Sequence, residues 1–170
     1  FDNVSFGYPG TESLLKNISL DFPSLSFIGI TGPSGVGKST IVKLMQKFYR
    51  PVTGMVTYDN NDLRTIDPSY LRSNVSVVTS RDYFSNSSIK ENLMLPLLTH
   101  DIGRMDWAID KAGAREFIKS LDQGIETKLT SNASNISSGQ KQLLALARGL
   151  ITNPKVIILD DALTQLGPEM

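Results

Sequence analysis

Three stretches of this 170-residue chain carry residues whose type and spacing suit the handling of phosphate. Gly32, Pro33, Ser34, Gly35, Val36, Gly37, Lys38, Ser39 and Thr40 contain the pattern G-x-x-x-x-G-K-[ST]. Glycines are needed there because the backbone must curl tightly and aim its N–H groups at phosphate oxygens. Lys38 would set a positive charge on the β- and γ-phosphates of a nucleoside triphosphate, serving binding and transfer alike. Ser39 offers a hydroxyl to Mg2+, and a helix opening at this point adds the positive end of its dipole. The second stretch, Val156 to Asp160, is an apolar run ending in a carboxylate. An Asp at the end of such a strand is suited to holding Mg2+, commonly through water, which makes Asp160 a metal candidate. Asp161 follows it and is placed to orient or deprotonate an attacking water. The third stretch runs from Ser137 to Gln140 and opens an apolar helix. S-x-x-Q is a capping box, and a Ser with a Gly at a helix N-terminus also makes an anion site. The residues alone leave both readings open.

The elements around these stretches follow from periodicity. Val4 to Tyr8 reads as a strand turning at Pro9 and Gly10, and Leu14 to Phe22 has strand-like alternation at Ile18, Leu20 and Phe22. Leu25 to Ile30 reads as an apolar strand feeding the glycine-rich loop. Ile41 to Tyr49 reads as the helix after it, with Ile41, Leu44, Met45 and Phe48 on one face. Met55 to Asp59 is a further strand with a turn at Asn60 and Asn61, and Val75 to Val78 another. From about Ser85 to Ile151 the pattern is mostly helical. Ser88 and Glu91 form a capping box, Pro96 ends that helix, and Met105 to Ala112 and Arg115 to Leu121 are short helices. The helix opened by Ser137 runs to Ile151. Val156 to Leu159 is apolar throughout, the mark of a buried parallel strand. The Ser/Asn-rich stretches at 85–88 and 131–138 read most simply as linkers, although the second lies close to a capping box.

Composition bounds the rest. Hydrophobic residues make up 40% and charged residues 20%, and the formal net charge is zero. These are ordinary values for one globular domain, and they supply no basic footprint for a nucleic-acid partner. The absence of cysteine removes disulfides, thiolate metal sites and cysteine nucleophiles, and is compatible with the cytosol. The single histidine, His100, reads as a solvated loop residue. No apolar run approaches the roughly 20 residues needed to span a bilayer. The chain opens in strand-like sequence and stops soon after a patterned strand, so both ends read as edges within a longer polypeptide.

Ile136, Ser137, Ser138, Gly139 and Gln140 resemble the L-S-G-G-Q signature of ABC ATPases. The continuation from Leu144 through Arg148 and the run Ile157 to Asp161 resemble the same family. The likeness covers nearly the whole chain and is nearest to exporter-type, peptide- or toxin-secretion subunits. It implies an α/β P-loop NTPase over residues 1–170, with a mostly parallel core sheet, a small antiparallel β region, a helical subdomain at about 82–152, and a C-terminus cut short. It implies a head-to-tail pair of such domains, identical or not, with two ATP molecules and Mg2+ at the seam. Each ATP would lie on one phosphate loop and be covered by the partner's counterparts of Ser137, Gly139 and Gln140. Tyr8 matches the aromatic that stacks on adenine. The resemblance further implies a transmembrane domain on the same or another chain, and a place at the cytoplasmic face of a membrane.

The chain departs from the family pattern at several positions. Ser80 stands where the family has a Gln that binds Mg2+ and links to the membrane domain. The segment at Thr130, Ser131 and Ala133 lacks the usual Glu and glycines. Ser138 replaces a glycine, Leu143 an arginine, and Gly167 an aspartate. Asp161 replaces the catalytic Glu and is one methylene shorter, a displacement of about 1 Å that can cost about a hundredfold in rate. The switch histidine would fall beyond Met170. The resulting expectation is an ATP-binding domain that powers export, with impaired hydrolysis favoured over a divergent but active transporter. A P-loop kinase or GTPase would lack the signature helix, and no N-K-x-D-like guanine reader is present. A non-transport, regulatory ABC ATPase is the remaining alternative.

Overall fold

The computed structural model describes residues 1–80, 82–97 and 101–162. The chain divides into two compact units, Phe1–Arg72 and Ser73–Met170.

In the first unit, β1 (Asp2–Phe6) is the centre of a three-stranded antiparallel sheet, flanked by β2 (Leu15–Ile18) and β3 (Thr53–Met55). Val4 and Phe6 alternate with exposed or half-exposed residues and are buried, as is Leu15 opposite Phe6. Gly54 lets β3 come close. Its φ is 79°, and a Cβ there would fall 2.4 Å from the carbonyl oxygens of Asp2 and Asn3. Helix α1 (Lys38–Met45) buries Thr40, Ile41 and Leu44. Strands β4 (Thr57–Tyr58) and β5 (Asn61–Asp62) form a two-residue hairpin, with Asp59 and Asn60 both at positive φ, as a twisted tight turn requires. Helix α2 (Pro68–Asn74) starts after Asp67, whose carboxylate accepts the Ser69 N–H.

Three expectations change here. Leu25 to Ile30 forms no strand: Leu25 lies in a turn at φ 56°, no described residue pairs with the run, and Leu25 and Phe27 are exposed. An apolar run becomes a parallel strand only when a neighbour accepts its ladder bonds. The helix after the glycine-rich loop ends at Met45 rather than Tyr49, because Lys47 takes a left-handed φ of 61° and Phe48 turns outward. The strand expected at Met55 to Asp59 is split at Val56 into β3 and β4.

In the second unit, β6 (Val75–Thr79) and β7 (Val156–Asp160) pair in parallel, joined through helices. These are α3 (Ile89–Met94), α4 (Ile102–Lys111), α5 (Arg115–Lys119) and α6 (Ser138–Leu150). The core gathers Val78, Phe84, Ile89, Leu93, Ile109, Leu144 and Ile151. Helix α6 lies close on β6: a Cβ at Gly149 would meet Val78 Cγ2 at 2.5 Å. The parallel direction of Val156 to Leu159 agrees with the sequence reading, but its full burial does not. Ile157 and Leu159 remain on an exposed face, since only one side of the pair is covered.

The stretch at 85–88 is not a linker. Asn92 is fully buried, and its side-chain oxygen accepts the Ser85 N–H at 2.9 Å while its amide donates to the Ser85 carbonyl at 3.1 Å and the Ser88 carbonyl at 3.0 Å. Both capping boxes form, Ser88 with Glu91 and Ser137 with Gln140.

Candidate nucleotide-binding site

The glycine-rich loop is shaped by its backbone. Gly35 has φ 81° and Gly37 φ 107°, conformations that side chains other than hydrogen adopt at a cost. A Cβ at Gly35 would meet nothing within 4 Å, whereas one at Gly37 would lie 2.7 Å from Leu15 Cδ2. The loop is thus packed beneath Gly37 and open above Gly35. Gly37 caps α1 with no side-chain hydrogen bond, and the first turn holds no acidic residue. That leaves the helix start with neither an anion nor a side-chain cap, whereas α3 has Glu91 in its first turn and both α3 and α6 carry side-chain caps. Lys38 Nζ donates to the carbonyls of Gly32 at 2.8 Å and Pro33 at 2.9 Å, so its ammonium is folded over the loop. Open backbone, an uncapped helix start and a cation held above them fit a polyphosphate.

Tyr8 lies at the edge of the same unit. Its hydroxyl and the Thr40 hydroxyl share a hydrogen bond of 3.0 Å, which ties it to the first turn of α1. Lys43 Nζ donates to the Tyr8 hydroxyl at 3.4 Å. The Thr40 bond is the largest influence on the Tyr8 phenol and lowers its pKa; burial opposes it and Lys43 adds to it. Phe6 and Tyr49 meet the Tyr8 ring in edge contacts, with centroids 5.1 Å and 5.2 Å away.

In the second unit the parallel register sets Thr79 beside Asp160, so Ser80 and Asp161 leave the C-terminal ends of adjacent strands. That edge is where open α/β sheets hold ligands. Asp161 has a positive φ of 54°. The segment after Ser80 is anchored from α6: Arg148 Nη1 donates to the Tyr83 carbonyl at 2.7 Å, its guanidinium lies 4.6 Å from the Phe84 ring centre, and Asp82 stands 3.9 Å away. Burial lowers the Arg148 pKa, and Asp82 works against that. Among the described residues no three His, Cys, Asp or Glu side chains gather into a metal cluster. A Mg2+ ion here would draw on phosphate and water oxygens, its usual habit beside one or two protein groups.

At the start of α6 the Gln140 N–H donates to Ser137 Oγ at 3.1 Å, and the Ser137 N–H to Gln140 Oε1 at 2.9 Å. Ser137 and Ser138 are exposed, Gly139 and Gln140 half-buried. Upstream, Asn135 accepts the Thr130 N–H and donates to the Lys128 carbonyl, which orders the stretch read as a linker. Ala133, where the family resemblance implies a glycine, is buried at φ 52°.

The residues at 32–40 and Tyr8 thus come together in one unit, and Ser80, Asp160 and Asp161 in the other. Sequence reasoning missed the Thr40 hydroxyl as the partner of Tyr8, Tyr49 as its neighbour, and Arg148 as the anchor of the segment after Ser80. Spacing gave no sign of the last, since Arg148 and Tyr83 are far apart in the chain. His100, Gly167 and Met170 lie outside the described residues.

Comparison with known proteins bears on this arrangement. The family model described as ABC transporter matches residues 15–164. The leukotoxin translocation ATP-binding protein LktB of Mannheimia glucosida is 39% identical over 170 residues, covering 99% of this chain and 24% of its own length. LktB of Bibersteinia trehalosi matches with the same identity and coverage. Among solved structures, a bacterial Atm1-family ABC exporter with ATP bound superposes with a TM-score of 0.94 at 33% identity, over 99% of this chain and 29% of that one. The chain therefore spans about a quarter of the length of the curated relatives.

Proposed function

This chain belongs to the ABC transporter family, and from that membership we propose that it binds Mg-ATP and powers export by an attached membrane domain. The observation that carries the proposal is the phosphate loop, with Lys38 fastened over an uncapped helix start. Backbone N–H groups of the glycine-rich loop would hold the β- and γ-phosphates, Lys38 would balance their charge as transfer proceeds, and Tyr8 would stack on the base. The Ser39 hydroxyl is a proposed Mg2+ ligand in its own unit, and the Asp160 carboxylate one in the other. Mg2+ held there would supply positive charge that offsets the charge of the phosphates. Asp161 would orient the attacking water.

The proposed partner is a second ATP-binding domain, the same chain or another, arranged head to tail. Its counterparts of Ser137, Gly139 and Gln140 would cover the γ-phosphate. The Ser137 hydroxyl accepts from Gln140 and keeps its own proton to donate, as that role needs. Among the described residues no helix is long and apolar enough to cross a membrane. The proposed location is the cytoplasmic face of a membrane, with the transmembrane domain on the same or another polypeptide and no nucleic-acid partner.

A second reading concerns rate. Asp161 is a methylene shorter than glutamate and Ser80 is shorter than glutamine, so a domain that binds ATP but turns it over slowly is also supported by the residues at the strand ends. Sedimentation of an Asp161→Asn variant tests the pairing. Mg-ATP should convert it from monomer to dimer where the partner is a second copy, and a species that stays monomeric at saturating Mg-ATP contradicts pairing between copies of this chain.

A further inference from the structure

After α1 the chain makes a choice between two aromatics. Phe48 turns out into solvent, 68% exposed, while Tyr49 turns back onto Phe6 and Tyr8. The turn that does this is held firmly. Lys47 sits at φ 61°, and its ammonium donates to the carbonyls of Arg64 at 3.0 Å and Ile66 at 2.7 Å. Tyr49 is not a core residue, since 38% of it remains exposed. Its ring stands perpendicular to that of Tyr8, with centroids 5.2 Å apart and an interplanar angle of 90°.

The Tyr8 ring is therefore constrained from three directions. Phe6 meets it edgewise at 82°, Tyr49 at 90°, and its hydroxyl is tied to Thr40 and Lys43. The Lys43 ammonium lies 5.4 Å from the ring centre but 3.4 Å from the hydroxyl, so it sits toward the polar end of the ring rather than over its face. A stacking platform fixed before its ligand arrives loses less rotational freedom on binding.

We infer that Tyr49 is a positioning residue for purine recognition, holding the Tyr8 ring in the pose that receives the base. The inference rests on the proposed role of Tyr8 as base platform. The bond to Thr40 joins that platform to the first turn of α1, one residue after Ser39, so base and phosphate are received by one rigid piece.

The test is calorimetric titration of the full-length protein that carries this chain, with Mg-ATP and with Mg-tripolyphosphate, which has no base. Tyr49→Leu keeps apolar volume against Phe6 and removes the aromatic edge; Tyr49→Ala removes both; Tyr49→Phe keeps the edge. An edge contact of this kind is worth a factor of about 2 to 12. Tyr49→Leu and Tyr49→Ala should weaken Mg-ATP by that factor and leave tripolyphosphate unchanged, while Tyr49→Phe binds both as the unaltered protein does. Equal weakening of both ligands would show a merely structural role and overturn the inference, as would unchanged Mg-ATP binding in Tyr49→Leu. Tyr8→Ala separates the two layers. Weaker Mg-ATP binding in Tyr8→Ala with none in Tyr49→Leu removes the inference and keeps the platform. No loss in Tyr8→Ala removes the platform itself, and the inference with it.

Discussion

The Ser137 hydroxyl accepts the backbone N–H of Gln140 at 3.1 Å, so the residue proposed to meet a partner's γ-phosphate is also the cap of its own helix. The two duties can be separated. Ser137→Ala should lower stability by about 1 kcal/mol, the usual value of such a cap, and also weaken the ATP-dependent dimer. Ser137→Asp should keep the cap, since a carboxylate accepts the same N–H and suits the helix dipole, but should repel phosphate. Its urea midpoint should match or exceed that of the unaltered protein while Mg-ATP no longer drives dimerisation. A Ser137→Asp protein that dimerises normally with Mg-ATP would leave Ser137 with the capping role alone.

Gly149 allows α6 to rest on β6. A methyl group there would lie 2.5 Å from Val78 Cγ2 and 3.1 Å from Ser76 Oγ. Gly149→Ala should therefore cost about 1–3 kcal/mol as an overpacked contact, despite the better helix propensity of alanine. Urea unfolding reads this directly; a gain in midpoint would mean the helix is not held so close.

Glu91 gives a pH dependence. Its carboxylate accepts the Ser88 N–H at 2.8 Å and the Ser88 hydroxyl at 3.1 Å, bonds that hold its pKa below the ordinary value, the backbone bond foremost. A carboxyl depressed in the folded state stabilises the fold above its unfolded pKa and loses that contribution as pH falls through its folded pKa. Glu91→Gln keeps a neutral version of the capping box. The gap in urea midpoint between the two proteins should be open at neutral pH and close below about pH 4. A gap that widens on acidification would reverse the sign and discount the bond.

Asp161→Glu addresses rate. In the full-length dimer the longer carboxylate should raise ATP turnover, if reach toward the water limits it. The isolated chain, kept dilute as a monomer, should gain nothing and turn over well below about 1 s⁻¹, because the partner's signature is absent and the γ-phosphate stays wet. Turnover at or above that rate by the isolated chain, abolished by Lys38→Ala, would mean it completes a site alone.

Much of this was legible in local pattern. The glycines at 35 and 37, the two capping boxes and the parallel run ending at Asp160 each depend on a few neighbouring residues, and the sequence carries that information directly. What escaped depends on distant partners. Leu25 to Ile30 has the composition of a strand but no described ladder neighbour. Asn92 looks like an ordinary helix residue until Ser85 folds back onto it. Arg148 meets Tyr83 and Phe84 only because α6 packs against the segment after β6. Phe48, expected on the apolar face of the helix, turns outward because Lys47 turns the chain left-handed.

Lys38 is the most direct probe of the whole reading. Its ammonium bonds the Gly32 and Pro33 carbonyls and little else holds it, so Lys38→Ala should leave the urea midpoint nearly unchanged. A charge-assisted bond to phosphate is worth about 1.5–3 kcal/mol, so calorimetric titration with Mg-ATP should show affinity reduced at least about tenfold. Equal affinity in the two proteins would contradict nucleotide binding at this loop.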